Sequence, residues 1–346
     1  MTRRLSLASG ALAAFVSLTG AAQAQSGGDF YKGKDLTILV GSGAGGGYDT
    51  TARILIRHIG KYIPGNPTFL VQNMPGAAGV AAMNHVVNNT PKDGLTIGIS
   101  QSGTSFEPLF HQLSPGGNTA KFDGTKLNWI GSVEEAIYFF AFWNSSPVHT
   151  FDDLLKQEAV VGATSANSDE GLFSTLLNNM FHTKLKLITG YKSAGEVRLA
   201  VERGELQGNL NTYSSLMNGQ PTWITEKKVR IPIQLTLTPF APLGNVPMAL
   251  DILKSEEDKR VLEVILAKSK LARPFVMADG VPAERVAIIR KAFVEVTKDP
   301  EFVAEANKTG INVNPVLADE VQKTVARVYA TPEALLQRVR QMVGVK

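Results

Sequence analysis

Five glycines in a stretch of seven residues, Gly41, Gly43, Gly45, Gly46 and Gly47, strip side chains from a single turn. Backbone N–H groups in such a turn can approach a ligand closely. Leu36, Ile38, Leu39 and Val40 before the turn read as a buried strand, and TARILIRHIG after it has helical spacing. Asp49 stands where an N-cap is expected. A helix N-terminus behind a bare glycine loop is suited to holding an anion. The candidate contacts here are Gly43, Ala44, Gly45, Gly46, Tyr48 and Asp49. Arg53, four residues after Asp49, is expected to pair with it and not with a ligand.

A second loop, Asn73-Met74-Pro75-Gly76-Ala77-Ala78-Gly79, follows the strand-like TFLVQN. Gly76 and Gly79 can take positive φ, and small residues leave amides exposed, so Asn73, Pro75, Gly76 and Ala77 join the candidates. Ser102 and Thr104 follow the strand LTIGIS and extend the set. In the second half, Thr164, Ser165 and Ser168 form a hydroxyl-rich strand-to-helix turn that supplies donors to a ligand or caps its helix. Tyr191 is expected to line the same cleft, with Asn211, Tyr213 and Ser214 as weaker candidates.

The first loop also satisfies G-x-G-x-x-G, the dinucleotide fingerprint. That site needs an acid at the end of the second strand, and TFLVQN ends in Gln72 and Asn73. An exported nucleotide-binding oxidoreductase therefore stands as the alternative, and no cofactor is expected. There is no G-x-S-x-G, H-E-x-x-H or G-x-x-x-x-G-K-[ST], so catalysis has no motif behind it. Glu134-Glu135 reads as a solvated acidic pair, and five scattered histidines as packing or surface residues without metal spacing.

These loops need a scaffold of alternating strands and helices. The runs at 36–40, 68–73, 95–100, 128–132, 137–143, 159–164 and 184–191 read as strands, with helices between most of them. This rhythm predicts an α/β fold with parallel-rich sheets and a cleft at the strand ends. The run 229–238 is expected to return to the first lobe as a strand, and the remaining third is helical in pattern. Met1–Ala24 has a secretory pattern: Arg3 and Arg4, an apolar stretch, then Ala22-Gln23-Ala24. There are no cysteines, and 35 basic residues against 31 acidic ones include no block of the kind that binds nucleic acid. An exported, disulfide-free, two-lobed protein is the expectation.

Together these motifs resemble the tripartite tricarboxylate transporter substrate-binding proteins, also called Bug proteins. GSGAGGGYDTTAR is similar to their glycine-rich, Asp-containing loop, Asn73–Gly79 to their N-x-P-G-A-x-G, and Pro91-Lys92-Asp93-Gly94 to their P-x-D-G turn. Gly190-Tyr191-Lys192-Ser193 resembles their P-Y-K-G, and Pro274–Ala278 with Pro282 their late apolar segment and helix start. The chain departs from the pattern at Gly41-Ser42, Gly190 and Gln207, and carries extra length at 107–128, including Ser114–Asn118. The resemblance implies a periplasmic, flytrap-type (type II) binding protein that is monomeric and not an enzyme. Its lobes would be 29–140 with 232–346, and 141–231. It also implies a small carboxylate held by loop amides and hydroxyls without an arginine clamp, and a tripartite-type permease or a sensor domain as membrane partner.

Overall fold

The computed structural model describes residues 30–110, 120–166 and 168–344. The expected signal at 1–24, the Ser114–Asn118 stretch and Asn167 lie outside the described residues. Among the described residues, eleven strands form two sheets: β1 (Asp35–Val40), β2 (Thr68–Asn73), β3 (Thr96–Ile99), β4 (Asn128–Ser132), β5 (Tyr138–Trp143), β6 (Ala159–Ala163), β7 (Leu185–Thr189), β8 (Gly208–Thr212), β9 (Val229–Leu235), β10 (Pro274–Met277) and β11 (Val316–Leu317). The first sheet has the order β11-β4-β10-β3-β1-β2 and the second β7-β6-β8-β5-β9. Each sheet is mixed: β1, β2 and β3 run parallel while β10 opposes β3 and β4, and β5 opposes β8 and β9.

Both sheets are covered on both faces, which is why their central strands read as unbroken apolar runs. In β5, Tyr138, Phe140 and Phe142 enter one core while Phe139 and Ala141 enter another. In β10, Phe275 and Met277 pack beneath helices Gly47–Ile59 and Ala283–Val296, whereas Val276 faces Trp129 and helix Ala318–Tyr329. This two-residue alternation is the pleat at work.

Two expectations about the lobes are corrected. The run 229–238 does not return to the first lobe: it forms β9, paired with β5 at Tyr138↔Leu235 and Phe140↔Ile233. An apolar strand beside the phenylalanine-rich β5 is buried on both sides, and the chain crosses back only after it. Residues 138–140 and 232–235, assigned to the first lobe from sequence, thus hydrogen-bond within the second sheet. The C-terminal third is also shared. Val261, Leu262, Ile265 and Leu266 of helix Glu256–Leu266 and Val339 of helix Glu333–Met342 pack into the second sheet's core.

Candidate functional site

Because β1, β2 and β3 are adjacent and parallel, the loops that follow them leave the sheet at one edge. Glycine brings these loops into backbone contact. A Cβ on Gly41 would lie 3.0 Å from Gly79 Cα, and a Cβ on Gly79 would lie 3.2 Å from Thr104 Oγ1. Gly76 and Gly79 take the expected positive φ, at 149° and 91°. Thr104 is buried behind the junction, so it supports the loops from below. Ser102 N–H donates to the Tyr48 hydroxyl (3.1 Å), tying the third loop to the first helix. Gly43, Ala44, Gly45, Gly46 and Gly47 stay exposed, as do Pro75, Gly76 and Ala77.

Asp49 is the hub beneath this surface, though not as the N-cap. Helix Gly47–Ile59 starts earlier, from an extended Gly46 (φ −75°, ψ 166°) with no side-chain cap. Asp49 lies inside the first turn and reaches back: its Oδ2 accepts from Gly45 N–H (2.8 Å) and from Arg53 Nε (2.9 Å). Its Oδ1 accepts from Asn73 Nδ2 (2.9 Å), which also donates to Ser42 O (3.1 Å). Burial would raise the Asp49 carboxyl, but hydrogen bonds from Arg53, Gly45 and Asn73 together hold it below the ordinary carboxylate range. The expected Arg53–Asp49 pair is present, and Asn73 locks the first loop to the second.

The second sheet's loop is built differently. Ser168 caps helix Asp169–Phe181, accepting from Gly171 N–H (3.4 Å) and donating to Ser165 O (2.8 Å). Thr164 O accepts from Gly190 N–H (3.3 Å), joining the loops after β6 and β7. The Tyr191 ring lies against Gly162, together with Val197 and Leu206, in the core beneath helix Ala194–Glu202. Among these candidates, Ser165 has the most exposed position.

Between the two sheets sits a charge cluster that sequence reasoning missed. The crossover 133–137 is pinned by backbone bonds: Val133 N–H to Arg273 O, Ala136 N–H to Ser269 O, and Glu135 N–H to Asn314 O. Glu134 and Glu135 are therefore buried, not solvated. Glu135 pairs with Lys270 (2.8 Å), which also reaches Glu320 (3.1 Å). Burial raises the Glu134 carboxyl above its ordinary value, against the pull of Arg273, 3.8 Å away, and a hydrogen bond from Ser214. Lys268 holds Asp169 (2.5 Å), whose other oxygen accepts from the Tyr138 hydroxyl (2.8 Å). Dehydration would raise Asp169, yet Lys268 and Tyr138 hold it low. Tyr138, in turn, lies near enough to Tyr48 and Glu134 for both to bear on its titration. The glycine-loop edge of the first sheet thus meets the Ser168–Asp169 turn of the second across this cluster. The available signal was the basic spacing Lys268, Lys270, Arg273 directly before an apolar strand.

Among the described residues, His58, Asp299 and Glu301 place metal-type ligand atoms close together. Lys61 Nζ lies 2.7 Å from Asp299 and 3.5 Å from Glu301, so the group is already supplied with a cation. No helix among the described residues is long and apolar enough to cross a membrane.

No protein-family model matches the sequence, and no curated protein matches it. Solved structures do. A TctC solute-binding protein from Polaromonas superposes with a TM-score of 0.69 at 15% identity, over 89% of this chain and 99% of its own. The periplasmic binding protein BugD gives 0.60 at 17%, over 91% and 99%. MatC from Rhodopseudomonas palustris, solved with bound malate, gives 0.57 at 15%, over 90% and 99%. The chain therefore has the α/β fold of the TctC and Bug periplasmic binding proteins along nearly its whole described length.

Proposed function

We propose that this chain is a periplasmic receptor of the tripartite tricarboxylate type that closes two α/β lobes over a small organic carboxylate. The lobes are the units built on the two sheets, and the chain passes between them at 133–137, again after β9, and once more before helix Glu333–Met342. The observation that carries this reading is the convergence of three loops at the C-terminal edge of β1, β2 and β3. There Gly43–Gly47 and Pro75–Ala77 expose backbone beside an uncapped helix N-terminus. Open α/β sheets bind ligands at this edge. A helix start without a cap of its own leaves N–H donors for an anion. The shared fold of the TctC, BugD and MatC structures supports the same placement, and the malate bound to MatC supports the ligand class.

Closure over ligand is the signal a membrane permease would read, and a monomer suffices for it. The protein acts as a carrier and not as an enzyme. Its route to that compartment is the signal sequence at 1–24.

A thermal-shift screen of the signal-free protein, refolded to remove any carried-over ligand, tests the reading. The panel is mono-, di- and tricarboxylates, aromatic acids and NAD. A ligand at 100 times its Kd adds about 2.7 kcal/mol and raises the melting temperature by several degrees. A rise with one carboxylate class is expected. A rise with NAD alone would replace this reading with the dinucleotide alternative.

A further inference from the structure

We infer that Arg273 is the charged anchor of the interlobe site and restricts its ligand to molecules with a free carboxylate. This rests on the cleft being the ligand site, and adds to it a residue that neither the glycine loops nor the fold specifies.

Arg273 is fixed where the lobes join. Its N–H donates to Ser132 Oγ (2.9 Å), and its carbonyl accepts from Val133 N–H (3.4 Å). The guanidinium carbon stands 4.7 Å from the centroid of the Tyr48 ring, whose hydroxyl is held by the third loop. It also occupies the space above Gly47. A Cβ there would lie 3.0 Å from Nη2 and 3.4 Å from both Cζ and Nη1. The missing side chain at position 47 is what seats the guanidinium on the first turn of helix Gly47–Ile59.

Electrostatically that seat is the wrong end of a helix for a cation, because the N-terminus already carries partial positive charge. The nearby acids do not resolve the conflict. Asp49 is fully engaged by Gly45, Arg53 and Asn73. Glu134 stands 3.8 Å from Nε, beyond hydrogen-bond reach, and burial works against its ionisation. Nε is buried without a hydrogen-bond acceptor, and among the described residues neither Nη makes a hydrogen bond. The side chain keeps 24% of its exposure, so its outer edge opens beside the amides of the first loop. A permanently charged planar fork next to exposed N–H groups matches a carboxylate, which can accept two parallel bonds from it. An ester or amide of the same acid could not neutralise the site.

Calorimetric titration of the wild type and of Arg273→Gln, Gly47→Ala and Glu134→Gln with malate, with the best acid of the screen and with that acid's amide tests this. Loss of a charge-assisted pair should weaken acid binding by about 10- to 100-fold in Arg273→Gln. The wild type should ignore the amide. Gly47→Ala is compatible with the helix but intrudes on the guanidinium, so it should weaken binding with Arg273 still present. Glu134→Gln changes the carboxyl 3.8 Å from Nε without touching the open edge of the guanidinium, and should leave acid binding undiminished. If acids bind the wild type and Arg273→Gln alike, the anchor is overturned while the receptor reading stands. If no acid binds the wild type, both fall. Should Arg273→Gln fail to fold, undiminished acid binding by Gly47→Ala overturns the anchor in its place.

Discussion

Two helices of thirteen residues, Gly47–Ile59 and Asp169–Phe181, each begin just beyond the end of a parallel strand, one from each sheet. Their first turns are arranged in opposite ways. The second helix has a serine cap, an acid at its first position, and Lys268 to hold that acid. The first has an uncapped glycine start and a guanidinium resting on it, with its acid turned back into the loop network. The same local scaffold thus yields one helix start with a serine cap and its acid at the first position, and one with no cap whose acid turns back to the preceding loop. What decides whether a helix N-terminus becomes a binding site is the set of side chains that already answer its N–H groups.

The largest break in this comparison should come from Asp49→Ala. It removes a buried carboxylate that accepts hydrogen bonds from Gly45, Arg53 and Asn73, and should lower stability by about 2–3 kcal/mol in denaturant unfolding. Carboxylate affinity should fall with it, because the loops lose their mutual registration. Ser168→Ala should cost about 1 kcal/mol through loss of the cap, with affinity unchanged. A drop in affinity there would give the second helix start a ligand role.

Acidity separates the two kinds of carboxyl. Asp49 titrates below its ordinary value near 3.8, so its stabilisation is present above that pH and is lost as pH falls through the lower, folded value. Glu134 is shifted upward. Its protonated form favours the fold below the ordinary 4.5, and that advantage is lost as pH rises through the folded value. The melting temperature of Glu134→Gln relative to wild type should therefore climb from acid to neutral pH, and that of Asp49→Asn should decline over the same range. Parallel pH profiles would contradict the opposite signs.

The smallest structural effect belongs to Gly43→Ala. Gly43 has no positive φ, and a Cβ there meets nothing within 4 Å, so stability should stay within about 0.5 kcal/mol. Carboxylate affinity should still drop if a ligand lies over the loop, and calorimetry would show it. Gly76 is a poorer probe because its φ of 149° makes any side chain there strained.

Much of this was legible in the sequence because its causes are local. The strand before Gly41, the glycines, the N-x-P-G loop and the Asp49–Arg53 spacing are all read within a few residues. Arg273 was not legible, since its meaning arises only when β10 inserts between β3 and β4 and brings it over Gly47. Glu134 and Glu135 were misread for the same reason: nothing nearby in sequence says that a crossover will bury them against Lys270 and Arg273. The placement of β9 depended on whether its partner would be β5, which an apolar run alone does not reveal. Tyr191 and Ser168 stand out in the sequence, and only the fold shows the Tyr191 ring against Gly162 and the Ser168 hydroxyl at its helix start.

The position of β10 also has a consequence in time. It lies between β3 and β4 in the first sheet, although it is made after every strand of the second. During synthesis the five strands of 138–235 can therefore pair while β3 is flanked on one side only, by β1, and β4 has no neighbour yet. Such long-range pairing is slow to form. The first sheet holds the oldest strands of the chain and is the later of the two to close. A ribosome-stalled chain ending near residue 275, with β9 clear of the exit tunnel and β10 still inside it, should show amide protection in β5 through β9 and none in β4. Because β10 lies between β3 and β4, the first sheet cannot be completed until most of the chain has been made.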